Sequence, residues 1–206
     1  MSKQKIVTIG NILFGGDNPI AFIMGPCQLE NRDHAMMMAE RVANACAHPG
    51  SKFIFKNSYD KANRTSIKSS RGIGMEEGLH ILGEVRDTFG CPVITDVHEA
   101  SHCAIAAEVV DVIQIPAFLS RQTDLLIAAG QAGKPVNLKK GQFLAPCEMQ
   151  NAAEKIASTG NNQIMLCERG TSFGYNTLVN DFRALEIMGE TGYPIIFDAT
   201  HSVQQP

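Results

Sequence analysis

No apolar run in this sequence approaches the roughly 20 residues that a bilayer-spanning helix needs. The opening Met-Ser-Lys-Gln-Lys leads into a mixed, strand-like segment instead of a signal-peptide apolar region, so a cytoplasmic protein is expected. A basic excess is missing too. The formal net charge is -3, and no global positive field argues for nucleic acid or an anionic membrane surface as a partner. The six cysteines (Cys27, Cys46, Cys91, Cys103, Cys147 and Cys167) form no C-x-x-C pair, and in a reducing compartment most are expected to be small buried hydrophobes. No Gly-x-Gly-x-x-Gly turn follows the first strand-like run, which weakens a dinucleotide-binding fold. Linkers, low-complexity stretches and charge blocks are absent as well, so residues 1–206 are expected to form one domain.

What is present is ordinary in bulk and regular in rhythm. An apolar fraction of 44% and a charged fraction of 19% suit a globular domain with a substantial core. Ile6–Ile9 and Ile12–Phe14 flank Gly10-Asn11 as an expected hairpin. Short apolar runs then alternate with helical patterns. Strands are expected at Ile20–Met24, Phe53–Phe55, Val93–Thr95, Val112–Ile115, Val136–Leu138, Ile164–Leu166 and Ile195–Phe197. Helices are expected over Arg32–Ala47 (capped by Asn31), Met75–Phe89, Glu99–Val109, Arg121–Ala132, Pro146–Ser158 and Asn180–Met188. Strands apolar on both faces, alternating with amphipathic helices, imply parallel βα units. The expected fold is α/β, a TIM (β/α) barrel with an N-terminal β-hairpin. A complete barrel has eight strands in about 250 residues. Seven are found here, and the eighth unit is expected to lie beyond Pro206.

In such a barrel the functional groups gather at the C-terminal ends of the strands. The first strand is followed by Gly25-Pro26-Cys27-Gln28, and the second by Lys56, Ser58, Lys61, Asn63, Arg64 and Thr65. The third supplies Asp96 and His98, and the fourth Gln114. The fifth supplies Lys139 and Lys140, the sixth Glu168-Arg169-Gly170, and the seventh Asp198, Thr200 and His201. Like charges repel in a shared low-dielectric cleft, so cations converging there imply anionic ligands, the usual partners of Arg and Lys. A pocket for phosphorylated or carboxylated metabolites is expected. The segment Lys56–Thr65 is too densely charged to be buried unpaired, and forms one wall of that pocket. Cys27 and His201 stand at the first and last strands and can meet across the mouth as two ligands of a divalent metal. Taken singly, each also fits a plain structural role.

Five segments carry a resemblance: Lys56–Arg64 (KNSYDKANR), Gln114–Leu125 (QIPAFLSRQTDL), Asn137–Pro146 (NLKKGQFLAP), Glu168–Asn176 (ERGTSFGYN) and Phe197–Pro206 (FDATHSVQQP). They resemble the 3-deoxy-D-manno-octulosonate 8-phosphate synthase family from about Ile20 onward. The resemblance implies condensation of phosphoenolpyruvate with arabinose 5-phosphate, releasing phosphate, in a homotetramer that supplies a lipopolysaccharide precursor. It implies that Lys61, Lys139 and Arg169 hold phosphoenolpyruvate, with Lys56, Ser58 and Gln114 beside them. Asn63, Arg64 and Thr65 would grip the pentose phosphate, and Arg121 would reach into a neighbouring subunit's site. Lys61, Asn63, Asp96 and His201 form the expected catalytic set. Family members divide into metal-dependent forms with Cys and metal-independent forms with Asn at the position of Cys27, which implies a divalent metal (zinc, iron, manganese or similar) on Cys27 and His201. Tyr59 stands where Phe is usual and Cys147 where Trp is frequent. The family's other two ligands, a Glu on the last strand and an Asp after it, would lie beyond Pro206, and a shortened chain is expected to be poorly stable and to hold metal weakly. Two alternatives stay open: the related shikimate-pathway synthase, which has Lys-Pro-Arg in place of Lys-Ala-Asn-Arg and uses erythrose 4-phosphate, and a non-catalytic remnant that only binds phosphoenolpyruvate or intact subunits.

Overall fold

The computed structural model describes residues 4–48 and 50–204. Met1–Lys3, and Gln205 and Pro206 at the end of the Phe197–Pro206 motif, lie outside the described residues. The chain opens with the hairpin β1 (Val7–Ile9) and β2 (Ile12–Phe14), paired antiparallel with Ile9 opposite Ile12. Then follow β3 (Ala21–Met24), α1 (Arg32–Ala45), β4 (Lys52–Lys56), α2 (Met75–Phe89), β5 (Val93–Asp96), α3 (Ala100–Ala107), β6 (Val112–Ile115) and α4 (Thr123–Gln131). The chain continues through β7 (Val136–Lys139), α5 (Met149–Ala157), β8 (Ile164–Glu168), the short hairpin β9 (Thr171–Ser172) and β10 (Leu178–Val179), α6 (Arg183–Gly189), β11 (Ile195–Phe197) and α7 (Ala199–Ser202). Seven strands form one parallel sheet in the order β3-β4-β5-β6-β7-β8-β11, the sequential order of a (β/α) barrel. Among the described residues, β3 and β11 are each paired on one side only.

The strands alternate strictly, and that alternation builds two cores. Phe55, Val93, Ile113, Ile115, Val136, Leu138, Ile164 and Leu166 face the helices in the larger cluster. Ile54, Ile94, Val112 and Met165 face the barrel interior, where Val7, Ile9, Ile12 and Phe14 of the hairpin pack against them. The hairpin therefore plugs one end of the barrel with aliphatic and aromatic side chains. Two residues further along those strands, on the same inward face, come Lys56, Asp96, Gln114 and Cys167, with Asn137 and Lys139 of β7 between Gln114 and Cys167. The apolar plug ends where the polar layer begins.

Local signals account for most element boundaries. Asn31 caps α1, its side chain accepting from the His34 amide at 2.9 Å, and Gly90 ends α2 in the left-handed conformation (φ +62°). Several expected helices are shorter than their apolar pattern. The Pro146–Ser158 segment begins as a 3-10 turn, Pro146–Glu148, before α5. Asn180, the expected start of the sixth helix, instead donates its side-chain amide to the Ser202 carbonyl at 2.6 Å, while Asp181 accepts from the Arg183 amide, so α6 starts at Arg183. The β9–β10 hairpin and α7 are too short to show a period in sequence. Of the cysteines, Cys91, Cys103 and Cys167 are buried, Cys46 is half-buried, and Cys27 and Cys147 are exposed. Met36 and Met38 pack against the core, whereas Met37 is exposed.

Two of the glycines required by close approach bear on the site. A Cβ on Gly25 (φ +152°), at the end of β3, would overlap the Lys56 carbonyl oxygen. A Cβ on Gly78 of α2 would overlap the Cβ of Tyr59. These contacts bring the loop after β3 and the start of α2 against the Lys56–Thr65 segment.

Candidate active site

That segment is divided in its exposure: Asn57, Ser58 and Tyr59 are buried, while Asn63, Arg64 and Thr65 at its far end stand in solvent. Burial of Ser58 is tolerated because its hydroxyl is fully partnered. It donates to Asp96 Oδ2 and accepts from Lys61 Nζ at 2.8 Å and Lys56 Nζ at 3.3 Å. The same Asp96 oxygen faces Lys56 Nζ at 3.4 Å and Lys61 Nζ at 3.6 Å. Its other oxygen accepts from Gln114 Nε2 at 2.5 Å, and Gln114 Oε1 accepts from Asn137 Nδ2 at 2.8 Å. Strands β4 to β7 are thus crossed by one polar chain centred on a carboxylate. Burial would raise the Asp96 pKa, but the Lys56, Lys61 and Lys139 ammonium groups hold it well below the usual carboxylate range. Tyr59 reaches further than its replacement of Phe suggested, its hydroxyl lying 3.3 Å from His102 Nδ1 and its ring edge-on to His98.

A second chain crosses the open side of the barrel. Lys139 Nζ donates to Asp198 Oδ2, and the same oxygen lies 2.7 Å from His201 Nδ1. The other Asp198 oxygen caps α7 by accepting from the His201 amide at 3.0 Å. His201 Nε2 is thereby aimed at Cys27 Sγ, 3.3 Å away. This contact joins the segments that follow the two outer strands, β3 and β11. The hydrogen bond with His201 lowers the Cys27 thiol to about 6 against its own burial, with Lys61 and Lys56 adding to the effect. Bonding to Asp198 and to Cys27 raises the His201 pKa. Burial opposes ionisation of Asp198, but His201 and Lys139 outweigh it and keep the carboxyl far below its ordinary value.

Alkylation is expected to show this directly. In a Cys147→Ser background, iodoacetamide should label Cys27 with a pH midpoint near 6, ahead of the buried Cys91 and Cys103, pushed up to about 11, and Cys167, pushed up to about 12. Peptide mapping across a pH series measures it, and a Cys27 midpoint at the ordinary thiol value would contradict the pairing.

Cys27 and His201 suit a divalent metal in donor chemistry, a thiolate sulfur and an imidazole whose second nitrogen is held by a carboxylate. They account for two ligands, and among the described residues no group of three or more His, Cys, Asp or Glu side chains is placed to hold an ion.

A third cluster holds Arg169, which is 3% exposed. Its Nη2 donates to Gln204 Oε1 at 2.8 Å, but Nε and Nη1 are buried without a partner among the described residues. Burial lowers the Arg169 pKa. Two open donors on a buried guanidinium define a position for an anion's oxygens. A cavity of about 730 Å³ reaches from the hairpin at Phe14 past Asn137, Gln114 and Lys56 to Cys27 and His201. Neighbouring lysines diverge: Lys139 reaches Asp198, which lines this cavity, whereas Lys140, expected beside it, is fully buried on the other face against Glu168. Arg64 turns to Gln28 and the Ser70 carbonyl. Arg121 stands exposed. Asp198, gathered at the strand ends but given no role, and Asn137, which was not expected as a site residue, both belong to the network. An Asn in an otherwise apolar strand was the available signal for Asn137.

Over residues 2–206 the sequence matches the DAHP synthetase I family. The chain belongs to that family. A 2-dehydro-3-deoxyphosphooctonate aldolase of Granulibacter bethesdensis is 60% identical over 204 residues, covering 99% of this chain and 72% of the relative. The proteins of the same name from Bartonella quintana and Brucella ovis are 55% and 56% identical, covering 98% and 100% of this chain and 73% and 74% of theirs.

Proposed function

We infer that this chain catalyses the condensation of phosphoenolpyruvate with D-arabinose 5-phosphate and water, giving 3-deoxy-D-manno-octulosonate 8-phosphate and inorganic phosphate, a step toward lipopolysaccharide. The observation that carries the reading is the gathering of Lys56, Lys61 and Lys139 on Asp96 and Asp198 beside the Cys27–His201 pair, with two open donors on the buried Arg169, in a chain 60% identical to the Granulibacter aldolase.

The enol carbon of phosphoenolpyruvate bonds to the sugar's aldehyde carbon, and water adds at the adjacent carbon, where positive charge develops. The bond from that carbon to the phosphate oxygen then breaks, and phosphate leaves. Lys61, Lys139 and Arg169 hold the donor's carboxylate and phosphate, orienting its enol face and stabilising charge on the leaving group. Asp96 stays ionised, keeps Lys56 and Lys61 from repelling each other, and accepts the Ser58 proton in a hydrogen bond. Gln114, engaged at both ends of its amide, positions Asp96. Asn63, Arg64 and Thr65 lie on the exposed loop anchored by the Arg71–Asp60 fork and take the acceptor. Cys27 and His201 would hold a divalent metal of the zinc, iron or manganese kind, with further ligands from water or from residues outside those described. When bound, that ion supplies Lewis-acid charge to orient the aldehyde or to lower the pKa of water.

A homotetramer belongs to the same proposal. Phe118, Phe143 and Phe173 stand exposed in the loops after three successive strands, which favours self-association, and Arg121 is free to reach an acceptor phosphate in a neighbouring subunit. A cytoplasmic location accords with free thiols and with charged sugar-phosphate substrates. No described helix is long and apolar enough to cross a membrane.

Phosphate release is the test. Turnover is expected with phosphoenolpyruvate plus arabinose 5-phosphate, loss of it on chelation, and recovery with added divalent metal. Turnover with erythrose 4-phosphate alone would favour the sister activity, and donor binding without turnover of either sugar would favour a binding remnant.

A further inference from the structure

Lys140 is the most deeply buried cation at the strand ends, and the condensation chemistry makes no use of it. Its side chain is 0% exposed and that of its partner Glu168 2%. Its Nζ lies 3.5 Å from Glu168 Oε1, 3.0 Å from Thr171 Oγ1, and within 3.4 to 3.5 Å of the carbonyl oxygens of Gly141, Leu144 and Gly170. Those acceptors come from two loops, the one after β7 and the one after β8. Glu168 Oε1 in turn accepts from the backbone amides of Arg169 at 2.9 Å and Gly170 at 2.6 Å. One ion pair therefore fixes the peptide on both sides of Arg169, while that residue's own Nε and Nη1 remain open among the described residues. A buried ion pair is a poor source of net stability compared with apolar replacements of the same shape. Its distinct effect here is geometric.

We propose that Lys140 and Glu168 are positioning residues that lock the loop after β7 to the loop after β8 and so aim the Arg169 guanidinium at the donor. The inference rests on the phosphoenolpyruvate reading above. Lys139 and Lys140 then act on the same ligand by different routes. The first faces the cleft, and the second holds the neighbouring strand's arginine in place for it. Displacing a binding group by as little as an ångström is enough to weaken its contacts many-fold.

Steady-state kinetics and calorimetric titration with phosphoenolpyruvate, on the full chain with Lys140→Met and Thr171→Val substitutions, test this. Lys140→Met is expected to raise the KM and Kd for phosphoenolpyruvate about tenfold or more, with the acceptor KM unchanged. Thr171→Val, which removes the shortest contact at the loop's exposed edge, should shift the same constants about twofold. Adding Glu168→Gln to Lys140→Met removes the stranded charge yet keeps an oxygen for the two amides, and should restore part of the donor affinity. A purely structural role would lower kcat through loss of folded enzyme and leave both KM values alone, and that result overturns the proposal. If Lys140→Met does not fold, Thr171→Val carries the test, and an unchanged donor Kd in it is equally decisive against. Failure of the unsubstituted protein to bind phosphoenolpyruvate would instead overturn the functional reading beneath.

Discussion

Asp96→Asn is expected to destabilise the ligand-free protein by about 3 kcal/mol or more, because removing one partner of a buried charge cluster strands the others. At this chain length that corresponds to a melting midpoint lower by roughly 6–12 °C. The substitution keeps the shape of the side chain but leaves Lys56 and Lys61 facing each other without a counter-charge, and Ser58 and Gln114 with a poorer acceptor. Two further signatures follow. An anion placed between the lysines restores the missing charge, so phosphoenolpyruvate should raise the variant's midpoint more than that of the parent. The pH profile should change as well. Asp96 has its folded pKa depressed well below the ordinary carboxylate value. Its stabilisation is therefore fully present above the unfolded value, near about 3.9, and is lost as pH falls through the folded value. The variant's stability should be flatter over that acid range. Thermal unfolding from neutral pH down to the acid limb measures both, and equal midpoints at neutral pH would show that Asp96 is not what holds the lysines together.

Arg169→Met is expected to behave in the opposite sense. Charge-assisted hydrogen bonds contribute about 1.5–3 kcal/mol each, so losing the two open donors should weaken phosphoenolpyruvate binding by about 10²-fold or more. Yet the ligand-free protein should melt no lower than the parent, since a buried guanidinium with unmet donors is itself a cost. Arg169→Lys keeps the charge but not the planar fork, and should recover only a small part of the affinity. Calorimetric titration alongside a melting curve separates the two effects. A variant that loses stability and keeps donor affinity would assign Arg169 to the scaffold.

Much of this site was visible in the order of residues along the chain. The βα rhythm placed all seven sheet strands to within two residues, and the strand-end rule alone gathered Cys27, Lys56, Lys61, Asp96, Gln114, Lys139, Arg169 and His201. The pairings were not visible. Ser58 can be buried because Asp96 accepts its proton from 38 positions further along the chain, and no local pattern reports a partner at that distance. Asn180 resembled a helix start, but its amide is spent on Ser202. The divergence of Lys139 and Lys140 was legible in principle, because side chains alternate along a strand and Leu138 already points to the helices. Treating both as strand-end cations ignored that parity.

The parity has a further consequence for how this protein tolerates change. Lys139 and Lys140 are chemically identical, so nothing in their composition tells the fold which amine meets Asp198 and which meets Glu168. Only the phase of β7 decides. A single-residue insertion or deletion within that strand would turn each lysine to the opposite face while conserving every charge in the segment. A substitution count would record almost no change, but the amine facing the cleft would arrive on a frame built for the opposite face. In this stretch the reading frame of the pleat carries information that residue identity does not.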